Sequence, residues 1–227
     1  MKIAIDGTAA SGKGTLARKI AQELGYDYLD TGLLYRAVTF DALSISSPDI
    51  ISLKNTSSSN YNLSRKLKNT LTQIATNLTL PITDVPELRS QEISQLAGII
   101  ASIAEVRQAL IEKQKDFAEF PPSGIGAILD GRDIGSVILP EANYKFFIDA
   151  KPEIRAKRRF AELKNPLPHQ TESLTLAEIT ERDFRDKTRP TAPLKHLPDA
   201  FFIDTSLLNA DEVLQIALNY INREVSL

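Results

Sequence analysis

Residues 3–25 read "IAIDGTAASGKGTLARKIAQELG", and this stretch decides what kind of fold the rest must build. Ile3 to Asp6 is a short apolar run that reads as a buried strand. Leu16, Ile20 and Leu24 then recur every fourth residue, which predicts a helix, and Gly25 suits its C-cap. Between the two lies Gly7-Thr8-Ala9-Ala10-Ser11-Gly12-Lys13-Gly14-Thr15. A glycine-rich turn at this place aims successive backbone N–H groups at one point, and the positive end of the helix dipole faces the same spot. Such a nest suits nucleotide phosphates, with Lys13 reaching the β and γ groups. The usual P-loop has Ser or Thr directly after its lysine; here Gly14 stands first and Thr15 second.

The 227 residues, 42% hydrophobic, suffice for one sizeable core with insertions. A formal net charge of −2 argues against nucleic acid or a membrane surface as the main partner. With the loop starting at Gly7 and no run of 18 apolar residues, neither a cleavable signal peptide nor a membrane span is expected. The absence of cysteine excludes disulfides and thiolate metal sites and fits a cytoplasmic location. His169 and His196, the two histidines, both lie in polar stretches with prolines and read as solvated loop residues. A histidine-based triad or zinc site is therefore not expected.

Further strands are predicted at 26–30, 126–130, 144–149 and 200–204, each short, apolar and ending in aspartate. Helical patterns separate them, which predicts an α/β fold: a five-stranded parallel sheet with helices on both faces. In such sheets ligands gather beyond the carboxyl ends of the strands, where those aspartates lie. Residues 1–43, 91–150 and 191–227 make up the expected core. Residues 44–90 read as a first insertion, with the Ser/Asn-rich "SLKNTSSSNYNLS" and strand-like pieces such as "TNLTLPITDV". Residues 151–190 read as a second, with "PEIRAKRR", the loop "LKNPLPHQTES" and a helix starting at Thr175, where Glu178 completes a capping box. Between them Ile93, Leu96, Ile100, Ile103 and Val106 mark long amphipathic helical sequence.

Charged residues cluster where a second phosphate would bind. "LDTGLLYR" brings Asp30, Thr31 and Arg36; "VRQAL" brings Arg107; "LDGRDIGS" brings Asp130, Arg132 and Asp133 after a strand. In "ERDFRDKTRP", Arg182, Arg185, Asp186 and Arg189 fall at helical spacing on one face. Two accounts of that face stand side by side: a solvated surface laced by Glu181–Arg185 and Arg182–Asp186 pairs, or guanidinium forks turned to a phosphate.

The Gly14 spacing resembles the P-loop of nucleoside monophosphate kinases. Together "GTAASGKGT", "LDTGLLYR", "RSQEI", "VRQALIEKQKDF", "DGRDIGSVILPEA", "IRAKRR" and "ERDFRDKTR" resemble the bacterial cytidylate kinase family over nearly the whole chain. The resemblance implies a P-loop kinase fold in which 44–90 is the monophosphate-binding insertion and 151–190 the lid. It implies transfer of the γ-phosphoryl of ATP to CMP or dCMP with Mg²⁺, by a monomer. Gly7, Thr8, Ala9, Ala10, Ser11, Gly12, Lys13, Gly14 and Thr15 then match the ATP phosphate site, with Thr15 on the metal side and Asp130 or Asp133 behind the metal's water. Arg36, Arg132 and Arg189 match the clamp on the CMP phosphate, Arg182 and Asp186 the sugar pair, and Arg107 and Asp133 the reader of the cytosine edge. Asp30 and Thr31 line the monophosphate pocket, and Arg155 and Arg159 match lid arginines near adenine and the transferred phosphate. Lys13, Arg132, Arg189 and Arg159 carry the expected catalysis. One departure stands out: where the family commonly has a base-contacting serine, nine residues after Arg89, this chain has Gly98, and Ser102 is the expected deputy. A kinase for UMP or AMP, or a P-loop module that binds nucleotide without turnover, are the alternatives.

Overall fold

The computed structural model describes residues 1–45, 63–162 and 170–225. Two compact units divide the chain: Met1–Leu29 with Lys115–Leu227, and Asp30–Gln114.

In the first unit, strands β1 (Lys2–Gly7), β2 (Asp27–Asp30), β3 (Ala127–Gly131), β4 (Tyr144–Asp149) and β5 (Phe201–Asp204) form one sheet in the order β2-β3-β1-β4-β5. The pairings β1–β3, β1–β4 and β4–β5 are parallel, with Ile5 opposite Asp130 and Gly7 opposite Ile148. The expected strands thus appear within a residue or two of their predicted bounds. The chain leaves β1 toward β2 and β3 on one side, then crosses to β4 and β5 on the other. The direction of winding switches beside β1, and open α/β sheets hold ligands at such a switch.

Alternation along β1 sorts its side chains. Ile3 and Ile5 point to a core shared with Leu16 and Ile20 of helix α1 (Lys13–Leu24), Phe146 and Ile148 of β4, and Val213, Ala217 and Ile221 near the C-terminus. Each fully buried aliphatic chain there contributes about 1.5–3 kcal/mol. Asp6 points to the opposite face. Gly25 closes α1 at φ 68°, a left-handed cap.

The second unit holds α2 (Thr31–Leu43), α3 (Arg65–Asn77), a 3₁₀ turn (Pro86–Arg89), α4 (Gln91–Ile100) and most of α5 (Ala104–Glu119). Side chains start three of these helices: Asp30 accepts from Leu33 N, Ser64 from Leu67 N and Ser90 from Ile93 N. Such caps are each worth about 1 kcal/mol. Leu67, Leu71 and Ala75 form the buried stripe of α3.

The structure corrects several sequence expectations here. "TNLTLPITDV" forms no strand: α3 runs to Asn77, and the chain continues as loop to the 3₁₀ turn. The helical sequence at 91–118 is two helices, because the chain turns at Ala101–Ile103 and Ser102 Oγ donates to Ile99 O at 2.6 Å. Most of the Ser/Asn-rich stretch and His169 lie outside the described residues.

After β4 the first unit continues through α6 (Pro152–Glu162), α7 (Glu172–Thr188) and, after β5, α8 (Ala210–Val225). Helix α7 starts three residues before Thr175. Thr171 is its cap, accepting from Leu174 N at 3.2 Å, while Thr175 is buried and donates back to Thr171 O. Glu178 accepts from Gln170 and completes no capping box. No described helix is long and apolar enough to cross a membrane.

Candidate active site

The loop after β1 is held through its carbonyls and two left-handed residues. Gly7 lies so close to β4 that an added Cβ would stand 2.0 Å from Ile148 O, so only glycine fits. Ala10 and Gly12 take left-handed φ of 57° and 90°. Thr8 O accepts from Ser11 Oγ at 3.0 Å and faces Lys13 Nζ at 3.5 Å. Ala9 O accepts from Arg155 at 3.2 Å, and Ser11 O from Thr205 Oγ1 at 2.8 Å. Arg158 in turn donates to Thr205 Oγ1 and O. The carbonyls of Thr8, Ala9 and Ser11 are thus each held by a side chain, which fixes a glycine-bearing turn at the N-terminus of α1, a place that suits an anion.

The strand-ending aspartates organise this edge. Asp149 accepts from Thr8 Oγ1 at 2.5 Å and from Ala150 N at 2.8 Å. Asp204 accepts from Ser206 N and Oγ. Asp6, 6% exposed, accepts from Ile134 N and Gly135 N, both at 2.8 Å. Burial pushes its carboxyl up to about 6, against the pull of those two N–H groups. The segment held there is a π-helical turn, Ile134–Ile138, directly after Arg132 and Asp133. The loop with the lysine and the loop with Arg132 are therefore joined by one buried carboxylate.

Asp130 is the last residue but one of β3 and lies against the start of α1. Its Oδ1 accepts from Tyr28 Oη at 3.1 Å, and its Oδ2 would be 3.3 Å from a Cβ built on Gly14. This explains the glycine between Lys13 and Thr15: a side chain there would press on Asp130 and Tyr28. Among the described residues no cluster of three or more His, Cys, Asp or Glu is suited to hold a metal. Mg²⁺ in phosphate sites needs fewer protein ligands, and the Asp130 carboxylate at the Gly14 position, with the hydroxyl of Thr15 next in sequence, is a hard-oxygen donor set that would suit it.

Arg132 donates through Nε to Asp186 Oδ2 at 2.7 Å and through a terminal nitrogen to Gly131 O. Burial alone would raise the Asp186 pKa, but the charges of Arg132 and Arg182 outweigh it and hold the carboxyl below its ordinary value. Arg182 Nε stands 3.9 Å from Asp186. Arg189 lies past the end of α7, not on its face: at φ −57° and ψ 138° it is the C-cap, donating to Ala192 O and approaching Asp133 at 3.5 Å. Arg185 pairs with Glu181 at 3.1 Å. Both pairs of the solvated-face account are present, Glu181–Arg185 and Arg182–Asp186, but Asp186 is shared with Arg132, and Arg132, Asp133, Asp186 and Arg189 are drawn together around the end of β3. Arg159 reaches Glu162 at 3.3 Å. Arg155 differs from it: only 2% exposed, it gives each guanidinium nitrogen a protein acceptor.

In the second unit Thr31 is buried at the first turn of α2, and Arg36 follows on the same helix, half-buried. Arg107, 2% exposed, lies over the Tyr35 ring at 5.9 Å and donates to Ala101 O at 3.3 Å. Gly98 is on α4 and half-buried; Ser102 is exposed in the turn beyond, its proton on Ile99 O, so it does not share a helix face with Gly98. Arg89 bridges Asp84 and Asp30.

Sequence reasoning missed Asp6, Asp183 and Thr205 as parts of this architecture. The repeated aspartate at strand ends was the one available signal for Asp6.

Comparison with known proteins finds relatives over nearly the whole chain. The model of the cytidylate kinase family matches residues 3–223. A cytidylate kinase of Rhodopseudomonas palustris is 41% identical over 97% of this chain and 95% of its own length. One of Paramagnetospirillum magneticum is 44% identical over 96% of both chains. Among solved structures, an uncharacterized protein from Eubacterium ventriosum superposes with a TM-score of 0.53 at 13% identity over 98% of both chains, a likeness of fold alone. By its P-loop, its arginine-bearing loops and a family match over nearly its full length, the chain belongs to the cytidylate kinase family.

Proposed function

We propose that the chain transfers the γ-phosphoryl of ATP to CMP or dCMP, giving ADP and CDP or dCDP. The observation that carries this reading is the Asp6 bridge, which joins an anion-binding P-loop to the loop bearing Arg132 and Asp133. Two phosphate-recognising elements on one frame suit a donor and an acceptor nucleotide, whereas a nucleotide sensor needs one.

An oxygen of the CMP phosphate attacks the γ-phosphorus, the bond to the β–γ bridging oxygen breaks, and ADP carries away the electron pair. The attacking oxygen is already anionic, so no general base is required. The chain's task is alignment and charge neutralisation. In this scheme the backbone N–H groups of Gly7–Thr15 hold the ATP phosphates and Lys13 follows the γ group. Arg132, Arg189 and Arg36 take the CMP phosphate, with Arg159 near the transferred group. Arg182 and Asp186 take the sugar, Arg107 and Asp133 the cytosine, and Asp30, Thr31 and Gly98 line the monophosphate side. Mg²⁺, when bound, supplies charge neutralisation on the β- and γ-phosphate oxygens; Thr15 and Asp130 are the residues offered to it. Residues 44–90 as monophosphate-binding insertion, 151–190 as lid, a monomeric state and a cytoplasmic location belong to the same proposal.

An ADP-release assay across CMP, dCMP, UMP, AMP and GMP tests it. Turnover with CMP and dCMP is expected. Preference for UMP or AMP moves the chain to another monophosphate, and ATP binding without turnover on any of them leaves a non-catalytic module.

A further inference from the structure

We infer that Arg155 and Asp183 are positioning residues that couple the ATP loop to the acceptor side of the site through one turn of α7. The inference rests on the kinase reading above and assigns Arg155 a place behind the P-loop rather than on ATP.

Arg155 is fully enclosed: its guanidinium donates to three separate acceptors, and its Nε also stands 3.7 Å from Asp149, which holds Thr8 of the P-loop. Nε donates to Ala150 O at 2.8 Å, anchoring it to the end of β4. One terminal nitrogen donates to Ala9 O at 3.2 Å, in the middle of the P-loop. The other donates to Asp183 Oδ2 at 2.5 Å, on α7. A planar fork that satisfies three acceptors at once is a rigid spacer, which a lysine cannot replace. Ala9 precedes Ala10, whose left-handed φ of 57° costs energy in a non-glycine residue, so the Ala9 carbonyl needs an external hold.

Asp183 and Asp186 are neighbours one turn apart on α7. The first is tied to the P-loop through Arg155; the second accepts from Arg132 at 2.7 Å. A single turn of helix thus has one phosphate loop on each carboxylate. The second oxygen of Asp183 is buried, and among the described residues no donor reaches it. A buried, half-satisfied carboxylate changes energy steeply when its helix shifts, which is what an element linking two sites requires. Occupancy of the P-loop then alters α7, and α7 alters Arg132. By linkage the effect is reciprocal.

The test is a binding cycle with a non-hydrolysable β,γ-methylene ATP analogue and CMP, with Mg²⁺ present, by titration calorimetry. In the unmodified chain CMP should tighten analogue binding about tenfold, within the usual range of coupling between sites. In Asp183→Asn that factor should fall below about twofold, while analogue affinity without CMP, still guarded by the Arg155 contact to Ala9, changes less than about threefold. A structural role alone would lower the melting temperature and leave the factor intact, and that result overturns the inference. Where Asp183→Asn leaves too much uncompensated charge to fold, the double variant Arg155→Met, Asp183→Leu removes both charges together. It should lose the coupling as well as binary analogue affinity, and retained coupling would again overturn the idea. Hydrogen exchange on the unmodified chain gives an answer independent of any variant. Analogue alone should slow exchange across residues 183–186, and unchanged exchange there sinks the proposal. Failure of the kinase reading looks different: no CMP binding or turnover, with the exchange response of α7 to the analogue still measurable.

Discussion

Asp6, the last polar side chain of β1, accepts a hydrogen bond from Gly135 N at 2.8 Å, across 129 residues of chain. Its other oxygen accepts from Ile134 N, so the carboxylate takes two backbone donors of one turn. Asparagine can accept only one of them, and its NH₂ would face the other N–H. Asp6→Asn should therefore loosen the loop carrying Arg132 and Asp133 and lower kcat/KM for the acceptor more than affinity for ATP.

The same carboxyl gives a pH signature. Burial raises its pKa from 3.8 to about 6, Asp133 adds to the rise, and Arg132 with the two N–H groups opposes it. A raised carboxyl favours the folded state while protonated. Its contribution is full below the unfolded value near 3.8, declines as pH rises through about 6, and is flat above. The span corresponds to about 3 kcal/mol. Urea melts of Asp6→Asn and the unmodified chain from pH 4 to 7 measure it: the stability difference between them should change across that window. A constant difference would mean that Asp6 stays ionised throughout.

Lys13 is half-buried, with Nζ 3.5 Å from Thr8 O, and removing it opens no core. Lys13→Ala should shift stability by no more than about 0.5 kcal/mol. It should lower kcat by on the order of 10²–10³, since a preorganised charge on the transferring group is lost. Near-normal turnover in a folded variant would remove the P-loop from the mechanism.

These consequences were unequally legible in the sequence. Gly7, Gly12 and Lys13 announced their loop because glycine at fixed spacing between an apolar strand and a periodic helix has few other uses. Asp6 gave no such sign: a strand-ending aspartate reads alike whether it caps a helix, as Asp30 does, or anchors a loop far along the chain. Arg155 and Arg159 are one helical turn apart, so periodicity gives them one role. Depth separates them, since Arg155 is enclosed against Ala9 while Arg159 is 31% exposed. Depth is set by the P-loop and α7, which hold Arg155 between Ala9 and Asp183 and which periodicity does not describe. The start of α7 failed for a local reason. Thr171 and Thr175 are both plausible caps, and the capping-box pattern at Glu178 favoured the wrong one, because Thr175 turns inward onto Thr171 O.

Arg189 and Arg185 separate the two accounts of the arginine face. The Arg189 side chain is 8% exposed and approaches Asp133 at 3.5 Å, while that of Arg185 is 32% exposed and pairs with Glu181. Arg189→Lys should cut kcat more than it weakens CMP binding, because an ammonium cannot reproduce the planar fork on phosphate. Arg185→Ala is the control and should cost under about 0.5 kcal/mol in stability, with little kinetic effect. If Arg189→Lys alters melting alone, its contacts to Ala192 and Asp133 are its whole role.

Base selectivity supplies the last prediction. Cytosine offers an amino donor at position 4, which a carboxylate can accept, whereas uracil places a carbonyl oxygen there. With the proposed role of Asp133 as reader of that edge, the chain should reject UMP. A site built wholly on buried polar contacts discriminates by up to about 10⁴–10⁵. Gly98 offers no side chain and Ser102 Oγ is engaged with Ile99 O, so one polar contact is missing. Discrimination between CMP and UMP should accordingly be lower, roughly 10²–10³ in kcat/KM. Asp133→Asn should narrow the ratio, because an amide can turn its NH₂ toward the uracil O4. It also weakens the hold on Arg189, so absolute rates will fall for both nucleotides, and only the CMP/UMP ratio reports on base reading. Equal use of CMP and UMP by the unmodified chain would remove Asp133 from the base pocket while leaving the phosphoryl transfer itself untouched.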